Sequence, residues 1–270
     1  MHEARRIAEK AALAAGRLIA QRAGMTGLVR SKSTGTDLVT ETDVQAGVVA
    51  ARTILAADPG ARFVIEEAEV FDLTEAVEGS LDAPAVWVID PLDGTTSYVH
   101  GFPCFSVSIA YLNHGVPMAG AVYNVPLDQM ASAQAGAGAT VNGIPMHCTG
   151  TDALAEALLV TGFPYDRGAL LDRQLGALAR FLRAPVHGIR RDGSAAIDLV
   201  HVAMGRADGF WEFGLKPWDM AAGVLLCQEA GALVSDISGA AWTPAATGAV
   251  AANPILHPLM LDVIHANNSM

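Results

Sequence analysis

Asp90 and Asp93 flank Pro91 and Leu92 in WVIDPLDGTTSYVHGFP (residues 87–103), directly after a run of apolar, β-prone side chains. Proline fixes its own φ and restricts its neighbour, so both carboxylates can point to one spot where a strand should end. Hard divalent cations take oxygen ligands, and Mg²⁺ in particular is held by a few carboxylates together with waters and substrate phosphate. The pair suits Mg²⁺ better than zinc. A strand running into an Asp-rich turn has the same composition, because Asp and Pro are common turn residues. The next four residues favour the first reading: Gly94 permits unusual backbone angles, and Thr95, Thr96 and Ser97 form an N-cap and first helical turn whose free N–H groups attract an anion. Carboxylates, cation and phosphate would then meet, although GTTS alone is also an ordinary helix cap.

The surrounding pattern supplies elements to position these groups. SKSTGTDLVTETD (31–43) is polar and turn-forming, and it ends in a capping signal ahead of the helical VQAGVVAARTILAA (44–57). RFVIEE (62–67) and AVWVID (85–90) read as buried strands with carboxylates at their C-terminal ends. Residues 104–135 read as an antiparallel meander with turns at NHG and PLD. AGAGATVNG (135–143) places a soft boundary near residue 145, dividing an N-terminal α+β half (1–145) from a C-terminal α/β half (146–270). Beyond it, strands alternate with helices at 169–182, 194–204 and 217–230, which argues for layered α/β structure.

Composition narrows the function classes. The 270 residues are 51% hydrophobic with mean hydropathy +0.33, so a large core is available, and the moderate charge content of 17% argues against disorder. A formal net charge of −11 repels nucleic-acid backbones and anionic membranes, and no basic cluster stronger than RAPVHGIRR (183–191) offsets it. Cys104, Cys148 and Cys227 are odd in number and widely spaced, which fits a reducing cytoplasm rather than a disulfide framework. The first 24 residues carry charges through their apolar stretch and read as an amphipathic helix, not a signal peptide. Residues 94–127 lack charge, but NHG and Pro117 interrupt them well short of a membrane span.

Three blocks, VIEEA (64–68), WVIDPLDGTTSYVHGFP (87–103) and GSAAIDLVHVAMGRADGFWEFGLKPWDMAAG (193–223), resemble the inositol monophosphatase-like, lithium-sensitive, Mg²⁺-dependent phosphatases. The resemblance implies the αβαβα sandwich shared by inositol monophosphatases and fructose-1,6-bisphosphatases. It also implies two to three Mg²⁺ ions: one at Glu66, Asp90 and the Leu92 carbonyl, one at Asp90, Asp93 and Asp219, and a weaker one near Glu66. Glu66 and Thr95 are implied to activate the attacking water, with Asp43 supporting Thr95, Asp93 completing the catalytic set and Lys32 nearby. Substrate contacts are implied at Gly94, Thr95, Gly193, Ser194, Ala195, Glu212 and Asp219, with Glu212 accepting from vicinal hydroxyls.

Plainer readings stand beside several of these. TETD (40–43) is also a capping box, Trp211, Phe213 and Trp218 read as core aromatics, and His187 and His201 as structural. Glu67 points away from Glu66 if both lie on a strand. Two departures from the family pattern, Ile65 before the glutamates and Ser97 after GTT, remove no ligand. The expected activity is hydrolysis of myo-inositol 1-phosphate or a related polyol or sugar phosphate. Dual fructose-1,6-bisphosphatase activity is the alternative; histidinol-phosphatase and bisphosphonucleotide-phosphatase patterns differ at GSAA and around WD. A regulatory partnership with transcription or RNA machinery is the reading from another class. A homodimer is implied, for which the apolar 104–124 meander is either interface or core.

Overall fold

The computed structural model describes residues 2–24, 29–31 and 38–266; Lys32 lies outside them. Helix α1 (His2–Arg22) is followed by the paired strands β1 (Val29–Ser31) and β2 (Leu38–Thr40), then α2 (Glu41–Ala57), β3 (Arg62–Ile65), α3 (Glu69–Leu73) and β4 (Val77–Glu78). Next come β5 (Val86–Asp93), α4 (Thr95–His100), the meander β6 (Ser106–Asn113), β7 (Val116–Asn124) and β8 (Gln129–Gln134), then β9 (Ala139–Val141) and β10 (Ile144–Pro145). The rest comprises β11 (Leu158–Thr161), α5 (Ala169–Arg183), β12 (Gly188–Arg190), α6 (Ala195–Ala203) and β13 (Gly209–Phe213). It closes with α7 (Pro217–Glu229), β14 (Leu233–Ser235), β15 (Gly248–Ala252) and α8 (Leu256–His265).

Two mixed sheets result, one of eight strands ordered β10-β9-β8-β7-β6-β5-β3-β4 and one of five ordered β12-β11-β13-β15-β14. Helix α1 puts Ala8, Ala11, Ala12, Ala15 and Ile19 on one buried stripe at helical spacing, and with α2 it covers one face of the larger sheet. Helices α6 and α7 lie against the opposite face of that sheet and also against the smaller one; α5 and α8 cover the smaller sheet's far side. The order of layers is therefore αβαβα, as the resemblance implies. The core around α6 and α7 joins Val88, Ala110 and Val122 to Leu199, Met220 and Phe210, so it draws on both sides of residue 145.

The meander forms as expected, with β5 through β8 antiparallel to one another. Most of its apolar residues are core: Val107, Ile109, Leu112 and Ala121 have no exposed surface, because helices cover both faces of the sheet, whereas Val116 beside the NHG turn is exposed. Trp211 and Phe213 are likewise buried. Among the described residues no helix is long and apolar enough to cross a membrane.

Candidate active site

In a regular strand, residues three apart point to opposite faces. Strand β5 breaks that rule: Asp90 pairs with Ser108 and Asp93 with Ser106, so three steps on β5 oppose two on β6. This bulge, at Pro91 and Leu92, turns the Asp93 side chain toward the same region as Asp90. Asp90 is 2% exposed, and its Oδ1 accepts from the Leu92 N–H at 3.0 Å. Strand β3 runs parallel to β5 with Ile65 opposite Ile89, so the chain emerging from β3 delivers Glu66 beside Asp90. The Glu66 N–H donates to the Ile89 carbonyl at 3.1 Å, and its carboxyl is hydrogen-bonded to that of Asp90. Because β3 ends at Ile65, Glu66 and Glu67 are not strand residues; Glu67 is 3% exposed and Glu66 half-buried.

Asp93 is bound from the other side of the cleft. Its Oδ2 accepts from Ser194 Oγ at 2.5 Å and from the Ala196 N–H at 2.9 Å, with Ser106 Oγ 3.5 Å away. Ser194 is the N-cap of α6, where its Oγ also accepts from the Ile197 N–H. Ser194 thus serves a carboxylate of the DPLD segment, a contact that sequence reasoning missed. The N-cap of α4 is Gly94 itself, at φ 89°, rather than one of the threonines. A Cβ there would sit 2.7 Å from the Cys104 carbonyl oxygen, so the loop closes only around glycine.

Thr95 joins the metal-type carboxylates to the N-terminal helices. Its Oγ1 lies 2.8 Å from Asp43 Oδ1 and 3.0 Å from the Leu92 carbonyl oxygen. The other Asp43 oxygen accepts from the N–H and hydroxyl of Thr40, the N-cap of α2. The capping box and the contact to Thr95 therefore coexist, each using one oxygen of Asp43.

Asp219 enters from the first turn of α7, half-buried, with Oδ2 accepting from the Lys216 N–H at 2.7 Å. Together with Asp93, Gly94, Gly193 and Glu212 it borders a cleft of about 80 Å³. Glu212 on β13 is 7% exposed, and the facing Gly162 makes room for it, since a Cβ there would fall 2.3 Å from a carboxylate oxygen. Asp198 on α6 borders the same cleft, and sequence reasoning passed over it. It is the one acid in the mostly apolar run AAIDLVHVA, and nothing in that run marks which way it points.

Burial and mutual repulsion govern the charges. Desolvation, then Glu66, Asp93 and Asp219, push the Asp90 carboxyl well above its usual range. Desolvation, then Glu66 and Asp93, do the same to Asp219. Asp93 rises to about 6 through burial, held back by its bonds to Ser194 and Ala196. Glu212 is pushed up to about 8, mainly by burial and next by Asp93. Crowded carboxyls of this kind could offer oxygen donors to a hard divalent cation, which would offset their repulsion. Among the described residues, no group of three or more His, Cys, Asp or Glu side chains is already arranged as a cage.

The model of the Inositol monophosphatase family matches residues 1–269. The chain belongs to the inositol monophosphatase family. It is 42% identical over 229 residues to Inositol-1-monophosphatase of Synechocystis sp., covering 85% of this chain and 77% of that protein. It is 37% identical over 262 residues to Nus factor SuhB of Escherichia coli, covering 97% and 95% respectively. The crystal structure of extragenic suppressor protein suhB from Bartonella henselae superposes with a TM-score of 0.87 at 33% identity, covering 98% of each chain. The family's layered fold is thus the fold observed.

Proposed function

We propose that this family member is a Mg²⁺-dependent phosphomonoesterase acting on myo-inositol 1-phosphate or a related polyol or sugar phosphate. The observation that supports the proposal is the convergence of four acids from three elements, with Glu66 delivered beside Asp90 by the β3–β5 pairing, Asp93 turned by the β5 bulge and Asp219 on the first turn of α7. In this reading Glu66, Asp90 and the Leu92 carbonyl hold one ion, and Asp90, Asp93 and Asp219 a second, with a weaker third near Glu66. Ions bound there would supply Lewis acidity toward the phosphoryl group. Thr95 donates its hydroxyl proton to Asp43, which leaves the Thr95 oxygen able to accept a proton from the attacking water; Glu66 shares that task. Thr40 holds Asp43 in place for this role through two hydrogen bonds. On the leaving side Glu212 accepts from hydroxyls of the alcohol, flanked by Gly94, Gly193, Ser194 and Ala195. Lithium inhibition, a cytoplasmic site of action and a homodimer belong to the same proposal, with Leu175 and Leu182 on α5 offering exposed apolar surface.

Phosphate release from inositol 1-phosphate under Mg²⁺ titration tests the assignment. Asp93→Asn and Asp219→Asn each remove ligand charge without removing volume, so turnover falls on the order of a thousandfold, worth about 4 kcal/mol. The melting temperature holds or rises, because a buried charge is lost. Wild-type turnover in either variant refutes the proposal.

A second reading has one observation in its favour, the Nus factor name of the Escherichia coli and Pseudomonas aeruginosa relatives. Regulatory partnership with transcription machinery would have to proceed through protein contacts, given the net charge of −11. Affinity capture from extract that recovers no polymerase or RNA-associated factor removes this reading.

A further inference from the structure

Asp198 is the one acidic residue of α6, placed among Ala195, Ala196, Ile197, Leu199 and Val200, all buried. It is 1% exposed, and neither carboxyl oxygen has a hydrogen-bond partner among the described residues. Burying an acid without partners is costly, and Leu or Asn would fill the same space more cheaply. Among the described residues no cap, turn or ion pair explains it.

Its position does. Asp198 borders the cleft together with Glu212, the nearest in effect of the acids that act on it. The charged groups that act on it are Glu212, Asp192 and Asp93, with Arg191 opposing them, and burial outweighs all of these in raising its carboxyl. In either protonation state at least one of its oxygens can only accept a hydrogen bond. A group entering the cleft must bring a donor hydrogen to satisfy it, directly or through one ordered water.

We propose that Asp198 is a specificity-determining residue of the leaving-group side of the cleft, accepting with Glu212 from the hydroxyls of a polyhydroxylated alcohol. The site thereby favours leaving groups rich in donor hydroxyls over those that offer none. The proposal rests on the phosphatase reading above and assigns a role to a residue which that reading does not use.

The test compares kcat/KM for inositol 1-phosphate with that for p-nitrophenyl phosphate, whose leaving group carries no further hydroxyl, in the wild type and two variants. Asp198→Leu deletes both acceptors and lowers the ratio about tenfold, the worth of one good hydrogen bond, through KM for the polyol ester. Asp198→Asn retains one acceptor oxygen and falls between the two, and it keeps the test alive if the Leu variant folds poorly. A ratio within twofold of wild type in the folded variants, including an equal loss on both esters, overturns the assignment. Wild-type protein that hydrolyses neither ester with Mg²⁺ instead refutes the phosphatase reading itself, so the two failures are distinct.

Discussion

Gly94 shows how much a single position can constrain a site. Its φ of 89° and the 2.7 Å approach that a Cβ would make to the Cys104 carbonyl exclude any side chain without backbone movement. Gly94→Ala should therefore cost about 2 kcal/mol from the left-handed backbone alone, read as a lower melting temperature, and should depress turnover further because Asp93 and Thr95 flank it. An Ala variant with wild-type stability and activity would show that the loop is looser than described. Residues of this kind were legible in the sequence, since DPLDGTT concentrates turn formers and acids in a way that only a few chemistries require. Asp198 was not legible, because a lone acid in an apolar helix says nothing of direction until its neighbours are known.

At the level of elements, α6 is where the two halves of the site meet. Ser194 caps the helix through Ile197 and donates to Asp93, so one hydroxyl serves both secondary structure and carboxylate placement. Ser194→Ala should lose about 1 kcal/mol of stability for the cap and also lower turnover, since Asp93 loses a donor. Ser194→Thr should restore both, and thermal melts with phosphate-release assays on the pair check this. The sequence marks the start of α6 through GSAA, and the structure begins the helix at Ala195. What it does not mark is the partner across the cleft, because that contact depends on how the helix is sandwiched between sheets. The bulge in β5 is similar: Pro91 announces an irregular strand, but only the pairing with β6 shows which way Asp93 turns.

For the whole molecule, the crowded acids make stability depend on pH and on divalent ions. Glu212 rises from 4.5 to about 8 on folding, so the folded state holds its proton more tightly than the unfolded chain does. Its contribution is complete below pH 4.5 and is lost progressively as pH rises to about 8. His201 and His257 have the opposite sign: burial lowers them below 6.5, and they cost stability only on acidification below that value. Between pH 6.5 and 8, chelator-treated protein should therefore melt at lower temperature as pH rises, and Glu212→Gln should flatten the slope. Equal slopes in calorimetric melts of the two proteins would contradict this account. The layered architecture itself was largely legible, from alternating strands and helices in the second half and the meander in the first. The shared core around α6 and α7 was not, since hydrophobic periodicity records that a face is buried and never which partner buries it.

That helical layer between two sheets also has a meaning for synthesis. A chain emerging from the ribosome presents Glu66, Asp90 and Asp93 early, while α6 and α7, which carry Ser194 and Asp219, come much later. Until those helices are threaded into the gap, the early acids have neither the hydroxyl that steadies Asp93 nor the wall opposite them. On the phosphatase reading, the cleft is therefore complete only once the C-terminal layers have packed against the N-terminal sheet.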